Sequence, residues 1–240
     1  MSEAFDIAII GGGPGGYSTA LRAAELGKRV AMIERDATLG GTCLNRGCIP
    51  SKALISATHA IDSIRHAGEL GISATINGID YGTLHDYKKR IVDTMTQGLA
   101  GLLAHRGVTV FRGVASITGA ARPITVHIAA PADGQDVQRS VRSDVPEDIG
   151  PSYDITAQDV VLAMGSAPRQ LPGEPFRGAI IDSTRAMSMA MPHNAVIIGA
   201  GAIAAEFASM WNAAGCKVTM LIRKDRVLWM GSPRRRDPDA

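Results

Sequence analysis

Two of the chain's three cysteines lie in the stretch GGTCLNRGCIPSK, which covers residues 40–52. Four residues separate Cys43 from Cys48, and Pro50 follows closely. Zinc sites usually combine tighter CxxC pairs with a second pair or with histidines. A structural disulfide is unusual in a reducing compartment, and a redox-active disulfide is the third possibility. The secondary-structure elements predicted around the cysteines are needed to decide among a zinc site, a structural disulfide and a redox-active disulfide.

The composition limits the possible partners and compartments. The 240 residues are 45% hydrophobic, which is enough for one large or two modest domains. The 25 basic and 23 acidic residues give a net charge of +2 without a basic stripe, so a nucleic-acid partner is not expected. The apolar run near the N-terminus is short and has no basic flank. We therefore expect a cytoplasmic protein with neither a signal peptide nor a membrane span.

The segment that precedes the cysteines has the pattern of a β-α-β unit. An apolar run at Phe5–Ile10 predicts a buried strand, and Arg29–Glu34 predicts a second one. Between them, a helical pattern ends at Gly27. One face of that helix carries Tyr17, Ala20, Leu21 and Ala24.

Three glycines stand between the first strand and this helix, as Gly11-x-Gly13-x-x-Gly16. In a dinucleotide-binding unit the first glycine permits a tight turn, and the second lets the backbone approach a pyrophosphate. The third allows the helix to pack closely on the strand, and the helix N-terminus faces the phosphate charge. Glu34, at the end of the second strand, would accept hydrogen bonds from a ribose. The pattern predicts a dinucleotide site.

The same order of elements recurs near the C-terminus. Ala195–Ile198 predicts a strand, Gly199 and Gly201 begin a second glycine-rich loop with Ala204 in the third position, and Val218–Ile222 predicts another strand. The helix between these strands carries Ile203, Phe207, Met210 and Trp211 on one predicted face. We assign Gly199, Gly201 and Ile203 to a second dinucleotide site.

Both NAD and NADP are candidate coenzymes of this second unit. An acidic residue at the end of the second strand would favour NAD, but Ile222 stands there. Arg223 and Lys224 follow, and an arginine at this place suits the 2′-phosphate of NADP. A solvated basic strand end is the alternative interpretation of the same two residues.

The remaining segments supply helices, strands and a polar excursion. Helices are predicted near Pro50–Ala67 and Thr83–His105, and a short capped helix begins near Asp182. The second long helix has a predicted core stripe of Leu84, Tyr87, Ile91, Met95, Leu99 and Leu102. Further strands are predicted at Val108–Arg112, Ile124–Ile128 and Val160–Ala163. Residues 131–157 are polar and aperiodic, and we interpret them as a surface excursion.

These elements favour the redox interpretation of the cysteines. A disulfide directly after the first dinucleotide unit can exchange electrons with whatever that unit binds. A nicotinamide delivers hydride and a dithiol exchanges two electrons, so a flavin that accepts from either side is the expected bridge.

The motif GGTCLNRGCIPSK, together with the two glycine-rich units, resembles the pyridine nucleotide-disulfide oxidoreductase family from about Phe5 to Leu228. The segments CLNRGCIPSKAL and GLAGLLAHRG are most similar to those of dihydrolipoamide dehydrogenases. The resemblance implies an α/β chain with a Rossmann-like FAD-binding domain that contains an inserted β-meander, at residues 1–190. It also implies the start of a Rossmann-like NAD(P) unit at residues 191–228, followed by a disordered tail at residues 229–240.

The same resemblance assigns roles to site residues. Cys43 matches the thiol that exchanges with the substrate disulfide, and Cys48 matches the thiol beside the flavin. Lys52 matches a lysine near the flavin ring, and Glu206 matches the glutamate that pairs with it. A helix start and a lysine one turn later both favour a thiolate at Cys48. Further FAD contacts fall on Gly41, Thr42, Ala115 and Gly165, with Met164 in place of the usual threonine.

The function implied by the resemblance is electron transfer from a dihydrolipoyl dithiol through FAD to NAD or NADP. A lipoamide-type substrate, a 2-oxo acid dehydrogenase complex and a homodimer are the expected partners. Family members continue for about as long again and add an interface domain with a histidine base, so we expect this chain alone to be inactive. The alternatives are an NADPH-dependent reductase of the glutathione or mycothione type and a truncated, non-catalytic flavin-binding fragment.

No metal site is expected from the histidines and cysteines. Cys216 is predicted to be a small buried apolar residue beside Gly215. The histidines show no ligand spacing with the cysteines, and none is given a role: His59, His66, His85, His105, His127 and His193.

Overall fold

The computed structural model of the chain describes residues 3–119, 121–131, 133, 138–140, 147–223 and 225–228. The chain divides into two compact units. Unit 1 comprises the residues up to Pro50 together with Lys89–Arg169, and unit 2 comprises Ser51–Lys88 and the residues from Gln170 onward.

The first half of the chain is mainly helical after its opening β-α-β unit. In order it forms β1 (Glu3–Ile10), α1 (Pro14–Glu25), β2 (Val30–Glu34), α2 (Gly41–Arg46), α3 (Cys48–His66), a 3₁₀ turn (Ala67–Leu70) and α4 (Tyr81–His105). The second half forms β3 (Thr109–Arg112), β4 (Val114–Gly119), β5 (Ile124–Ala129), β6 (Gln138–Ser140), β7 (Glu147–Asp148), β8 (Ser152–Leu162), α5 (Ser183–Ala186), β9 (Asn194–Ile198), α6 (Ala202–Ala213) and β10 (Lys217–Leu221).

Unit 1 is built on an eight-stranded sheet, counted over the described residues, in the order β4-β5-β8-β1-β2-β3-β6-β7. The four central strands β8, β1, β2 and β3 are parallel, and an antiparallel pair extends the sheet on each side. The parallel centre confirms the predicted Rossmann-like α/β class. The additional antiparallel strands β4 and β5 beside β8 form the expected meander.

Both faces of the central strands are apolar, as a parallel sheet with two covered faces requires. Every residue of β2 is buried, and alternate residues enter two different core clusters. Ile33 packs with Phe111 and Ile155 in one cluster. Met32 packs in the other with Leu103, which comes from α4. This rigid sheet holds the loops at its carboxyl ends in fixed positions.

Unit 2 contains the second glycine-rich unit. Strands β9 and β10 are parallel, with Val196 opposite Thr219 and Ile198 opposite Leu221. The side chains of α6 that pack into the core of this unit are Phe207, Met210 and Trp211. Ile203, which the sequence placed on the same face, is 63% exposed, so that part of the prediction is wrong. The buried stripe of α6 begins one turn later.

Residues 131–157 are not wholly the surface excursion that their polar composition suggested. Strands β6 and β7 lie within this range, and β8 begins at Ser152. Ile155 and Ala157 are almost completely buried and alternate with polar residues that face outward. This alternation is the ordinary pattern of a strand with one covered face. The abundance of Asp, Ser and Thr obscured it.

The predicted core stripe of α4 is wrong for half of its members. Leu99 is buried, but Tyr87, Met95 and Leu102 are 39%, 46% and 42% exposed. The buried residues are Thr96, Leu99 and Leu103. Their spacing is also helical, so two overlapping stripes satisfied the same period. The fold of unit 1, and not the periodicity, selects which stripe in the C-terminal half of α4 is covered.

Other elements follow the predictions closely. The short helix α5 begins after Asp182, whose side chain accepts a hydrogen bond from the Arg185 backbone N–H at 2.8 Å and so caps the helix. No helix in the described part of the chain has the length and hydropathy needed to cross a bilayer. The predicted tail at residues 229–240 and Lys224 lie outside the described residues.

Candidate redox and dinucleotide site

The first glycine-rich loop connects β1 to the N-terminus of α1 at the carboxyl end of the parallel strands of unit 1. Gly11 donates a backbone hydrogen bond to Ile33, and Pro14 begins the helix. A Cβ on Gly16 would lie 1.8 Å from the Gly11 carbonyl oxygen, so a side chain is excluded there. The helix therefore packs directly on the loop, as the spacing predicted.

The loop that leads to the cysteines lies against this glycine-rich turn. The Gly40 N–H donates to the Gly12 carbonyl oxygen at 2.9 Å. Gly41 has φ 55°, and a Cβ on it would be 2.7 Å from the Cα of Gly13. Two backbone segments without side chains thus meet beside the first turn of α1, which has no acidic residue. The result is an uncharged backbone cradle at a helix N-terminus, a suitable place for a phosphate.

Glu34 ends β2 beneath this cradle and is only 7% exposed. Its Oε2 accepts a hydrogen bond from the Gly12 backbone N–H at 2.7 Å, and its Oε1 accepts one from the Asp36 N–H at 2.9 Å. The carboxylate therefore holds the glycine-rich loop in place. Carboxylate oxygens have further lone pairs, and these could accept hydrogen bonds from ribose hydroxyls.

The two motif cysteines both belong to unit 1 and lie in two consecutive helices. Cys43 is half-buried within α2, and Cys48 is exposed as the first residue of α3. Gly47 separates the two helices. Pro50 lies in the first turn of α3, where proline is well tolerated because its missing N–H has no helical partner.

Asn45 and Arg46 are positioning residues that the sequence analysis did not single out. The Asn45 side-chain amide donates to the carbonyl oxygens of Leu39 and Gly41, both at 3.0 Å. Its oxygen accepts from the Thr38 hydroxyl at 2.8 Å. Arg46 forms a salt bridge with Asp36 at 2.5 Å. These contacts fix the short helix that carries Cys43, and the position of both residues within the cysteine motif was the available signal.

Lys52 and Glu206 meet within unit 2. The Lys52 Nζ lies 2.5 Å from Glu206 Oε1, and the Ser51 hydroxyl lies 3.4 Å from Glu206 Oε2. The side chains are 56% and 32% exposed, so solvent screens the pair. The pair joins α3 to α6, and its main effect is to fix the direction of the lysine side chain.

The second glycine-rich loop of the chain lies in unit 2 and repeats the geometry of the first, which lies in unit 1. Gly199 donates to the Leu221 carbonyl oxygen at 3.0 Å, and α6 begins directly after Gly201. No acidic residue stands in the first turn of α6. Ile222 and Arg223 follow β10 and are exposed, and the Leu228 N–H donates to Ala200 at 2.8 Å. The segment after β10 therefore returns to the glycine-rich loop.

The remaining predicted contacts are distributed over unit 1. Thr42 is exposed on α2, and Ala115 on β4 packs partly against the core. Gly165 follows β8 with φ 74°, and Met164 beside it is 63% exposed. Their positions are compatible with a ligand at the carboxyl edge of the sheet, and their contacts with FAD stay predictions.

Cys216 is the third cysteine and differs in surroundings from the motif pair. It is 4% exposed in the core of unit 2, which confirms the prediction of a small buried residue. Burial raises the pKa of its thiol. Among the described residues, no group of three or more His, Cys, Asp or Glu side chains could hold a metal ion.

Comparison with known proteins agrees with this geometry. Residues 5–236 match a sequence model of the pyridine nucleotide-disulphide oxidoreductase family. The chain is 37% identical over 229 residues to the dihydrolipoyl dehydrogenase of Chlamydia pneumoniae, covering 95% of this chain and 45% of that relative. It is also 37% identical over 214 residues to the dihydrolipoyl dehydrogenase of Geobacillus stearothermophilus, covering 89% of this chain and 41% of the relative.

A solved structure supports the same relationship. The crystal structure of LpdA from Mycobacterium tuberculosis superposes with a TM-score of 0.77 at 26% identity, over 94% of this chain and 46% of that one. The chain thus spans a little under half the length of the relatives it matches. The match over residues 5–236 is decisive for the family: this chain belongs to the pyridine nucleotide-disulphide oxidoreductases and is most like their dihydrolipoyl dehydrogenases.

Proposed function

We propose that the chain supplies the FAD-binding and thiol-disulfide part of a flavin-dependent dihydrolipoyl dehydrogenase. The observation that carries the proposal is the hydrogen bond from Gly40 to Gly12, which joins the cysteine loop to the glycine-rich turn of the same unit. Residues 1–190 would form the FAD-binding domain, and residues 191–228 would belong to an NAD(P)-binding unit. The partners that follow are a lipoyl disulfide, a 2-oxo acid dehydrogenase complex and a second subunit.

The residues of unit 1 fit FAD, which members of the family use together with NAD(H). Gly13 and Gly41 approach so closely that a Cβ on Gly41 would lie 2.7 Å from the Gly13 Cα, and both flank a helix N-terminus with no carboxylate in its first turn. Glu34 ends β2 at the place where a ribose would lie. When bound, FAD would carry two electrons between the dithiol and a nicotinamide.

The chemistry of the chain's own residues is thiol-disulfide exchange. A substrate thiolate would attack the Sγ of Cys43, break the Cys43–Cys48 bond and leave Cys48 as a thiolate. The second substrate thiolate would then displace Cys43. The substrate leaves as a disulfide, the two cysteines gain its two electrons, and the two substrate protons are released or held nearby. Asn45 would keep α2, and with it the Sγ of Cys43, in one orientation.

The second glycine-rich loop would hold the nicotinamide coenzyme through Gly199, Gly201 and Ile203. Arg223 is exposed two residues after the end of β10, and the residue between them is Ile222 and not an acid. This observation favours a second candidate, an NADPH-dependent reductase of a small disulfide such as glutathione or mycothiol disulfide. The two candidates share the thiol chemistry and differ in coenzyme and substrate.

The experiment that tests the proposal combines flavin loading with thiol counting. The purified 240-residue chain is incubated with FAD, gel-filtered, and titrated with a thiol reagent before and after reduction by dithiothreitol. We expect bound flavin and a gain of two reactive thiols on reduction. The Cys43→Ser and Cys48→Ser variants should each show no gain of paired thiols.

Two results would contradict the proposal. A chain that binds no FAD, although its circular dichroism shows a folded α/β protein, would remove the flavin role. Equal thiol counts before and after reduction would remove the redox disulfide. Comparison of lipoamide with glutathione disulfide as oxidant of the reduced chain would separate the two candidate substrates.

A further inference from the structure

Unit 2 concentrates methionines around one small cavity. The sequence AMSMAMP at residues 186–192 places methionines at 187, 189 and 191. Met189 and Met191 line the cavity together with Met210 from α6, which is 2% exposed. The chain has ten methionines in all, so three of them meet at this one place. The lining of this cavity therefore includes three thioether side chains.

The size of the cavity restricts what it could hold. The volume open to the centre of a water-sized sphere is about 10 Å³. A single water needs about 10–15 Å³ by this measure, whereas small-molecule pockets typically have ~300–1,000 Å³. The cavity therefore accommodates one water or one ion and excludes an organic ligand.

The lining distinguishes between those two occupants. Besides the three thioethers, the described lining residues offer the imidazole of His85 and the hydroxyl of Tyr81, and no carboxylate. A buried water needs two to four good hydrogen-bond partners, and thioether sulfur is a weak acceptor. Hard cations such as Mg²⁺ and Ca²⁺ need six or more oxygen ligands, whereas the side chains of this lining offer only the Tyr81 hydroxyl. Soft monovalent ions, in contrast, prefer thioether sulfur.

Lys88 is a basic residue beside the cavity, and its ammonium group would repel a bound cation. Its Nζ lies 3.1 Å from His85 Nδ1 and donates to the Met187 carbonyl oxygen at 2.6 Å. Burial lowers the pKa of Lys88 from its ordinary value. The same contacts hold the His85 ring in one orientation beside the cavity.

We propose that unit 2 binds one soft monovalent metal ion of the Cu(I) or Ag(I) class through the thioether sulfurs of Met189, Met191 and Met210. The alternative is that the methionines only fill an irregular core, which is their commonest use in proteins. That alternative predicts no selective binding.

The test uses Ag⁺ as the probe and the ε-methyl NMR resonances of the methionines as the readout. The full 240-residue chain carries Cys43→Ser, Cys48→Ser and Cys216→Ala, since thiolates would otherwise capture the ion. We expect one equivalent of Ag⁺ to shift the resonances of Met189, Met191 and Met210. The exposed Met95 and Met164 should respond only to excess ion.

Variants separate ligation from a general affinity of methionine for silver. Single Met→Leu changes at 189, 191 or 210 nearly conserve volume, and each should weaken Ag⁺ binding at least about tenfold, since even outer-shell losses cost that much. The matched control, Met95→Leu with Met164→Leu, should bind normally. Equal response of all methionines, or unchanged affinity in the folded Met189→Leu variant, would overturn the proposal. Competition with a Cu(I) chelator extends the test to copper.

Discussion

The Gly12 backbone N–H donates to Glu34 Oε2 at 2.7 Å, so the acid at the end of β2 holds the glycine-rich loop that begins at the end of β1. The second carboxylate oxygen accepts from Asp36, and the side chain is almost fully buried. Glu34 is therefore a structural anchor in addition to its proposed contact with a ribose. Changes at this residue should affect stability even without a ligand.

We expect Glu34→Gln to lower the free energy of unfolding of unit 1 by about 1–3 kcal/mol. An amide has one acceptor oxygen, so either the Gly12 or the Asp36 N–H loses its partner in a buried place. Denaturant unfolding followed by circular dichroism measures the change. Glu25→Gln is the control, because that side chain is exposed beside Arg22, and its effect should be within ~0.5 kcal/mol. Equal effects of the two changes would show that Glu34 is not an anchor.

The proposed roles of the two motif cysteines differ, and their variants should differ too. Reduction of the flavin-loaded chain should produce a long-wavelength charge-transfer absorbance. Cys48→Ser should abolish this band, whereas Cys43→Ser should show it without any reductant. Absorbance spectra at wavelengths beyond the main flavin bands are the measurement, since a thiolate can donate charge to an oxidised flavin and a substituted serine cannot. Identical spectra for the two variants would refute the assignment.

The Lys52–Glu206 pair should contribute little to stability. Both side chains are substantially solvent-exposed, and exposed pairs are typically worth about 0.2–1 kcal/mol. A double-mutant cycle with Lys52→Ala and Glu206→Ala should give a coupling energy below ~1 kcal/mol that decreases in high salt. A much larger, salt-insensitive coupling would mean that the pair is a main support of unit 2.

Arg223 should recognise a 2′-phosphate. We expect the chain to bind adenosine 2′,5′-bisphosphate more tightly than 5′-AMP, and Arg223→Ala to reduce that preference about 10- to 100-fold, the value of a hydrogen bond to a charged group. Arg177→Ala, another exposed arginine of unit 2, is the control. NMR titration gives both affinities. A preference that survives Arg223→Ala would leave this arginine as a solvated strand end.

One face of the β9–β10 pair should promote self-association. Val196, Ile198 and Leu221 are 62%, 60% and 53% exposed on it. The Val196→Thr, Ile198→Thr variant keeps residues that favour strands and should reduce association in sedimentation velocity. The control is Ile197→Thr, which alters the opposite, core-facing side and should instead lower stability. If the double variant self-associates as strongly as the original chain, another surface must be responsible for the self-association.

The two glycine-rich units were predictable because local signals agree there. An apolar strand, a glycine spacing and an amphipathic helix each indicate the same unit, and β1, α1 and β2 formed close to the expected residues. The Asp182 cap was predictable for the same reason.

The antiparallel strands were harder because their signals depend on neighbours. In β4, Val114 and Ile117 are exposed together with Ser116 and Thr118, so the strand lacks the usual alternation of buried apolar and exposed polar positions. The start of β8 is polar except at positions covered by the core of unit 1. Contact of Glu206 with Lys52 joins residues separated by 154 positions, and it was expected only from the family resemblance.

The division of the chain has a consequence for how the protein is made. Unit 1 consists of two stretches, one up to Pro50 and one from Lys89 to Arg169, with Ser51–Lys88 of unit 2 between them. On the ribosome, β3 and β8 emerge only after this intervening stretch. Strand β1 must therefore wait for its neighbour β8 before its second edge is paired. A nascent chain is thus obliged to keep one edge of an apolar strand unpaired until Ser152–Leu162 has been translated, a period in which chaperones would have their greatest influence.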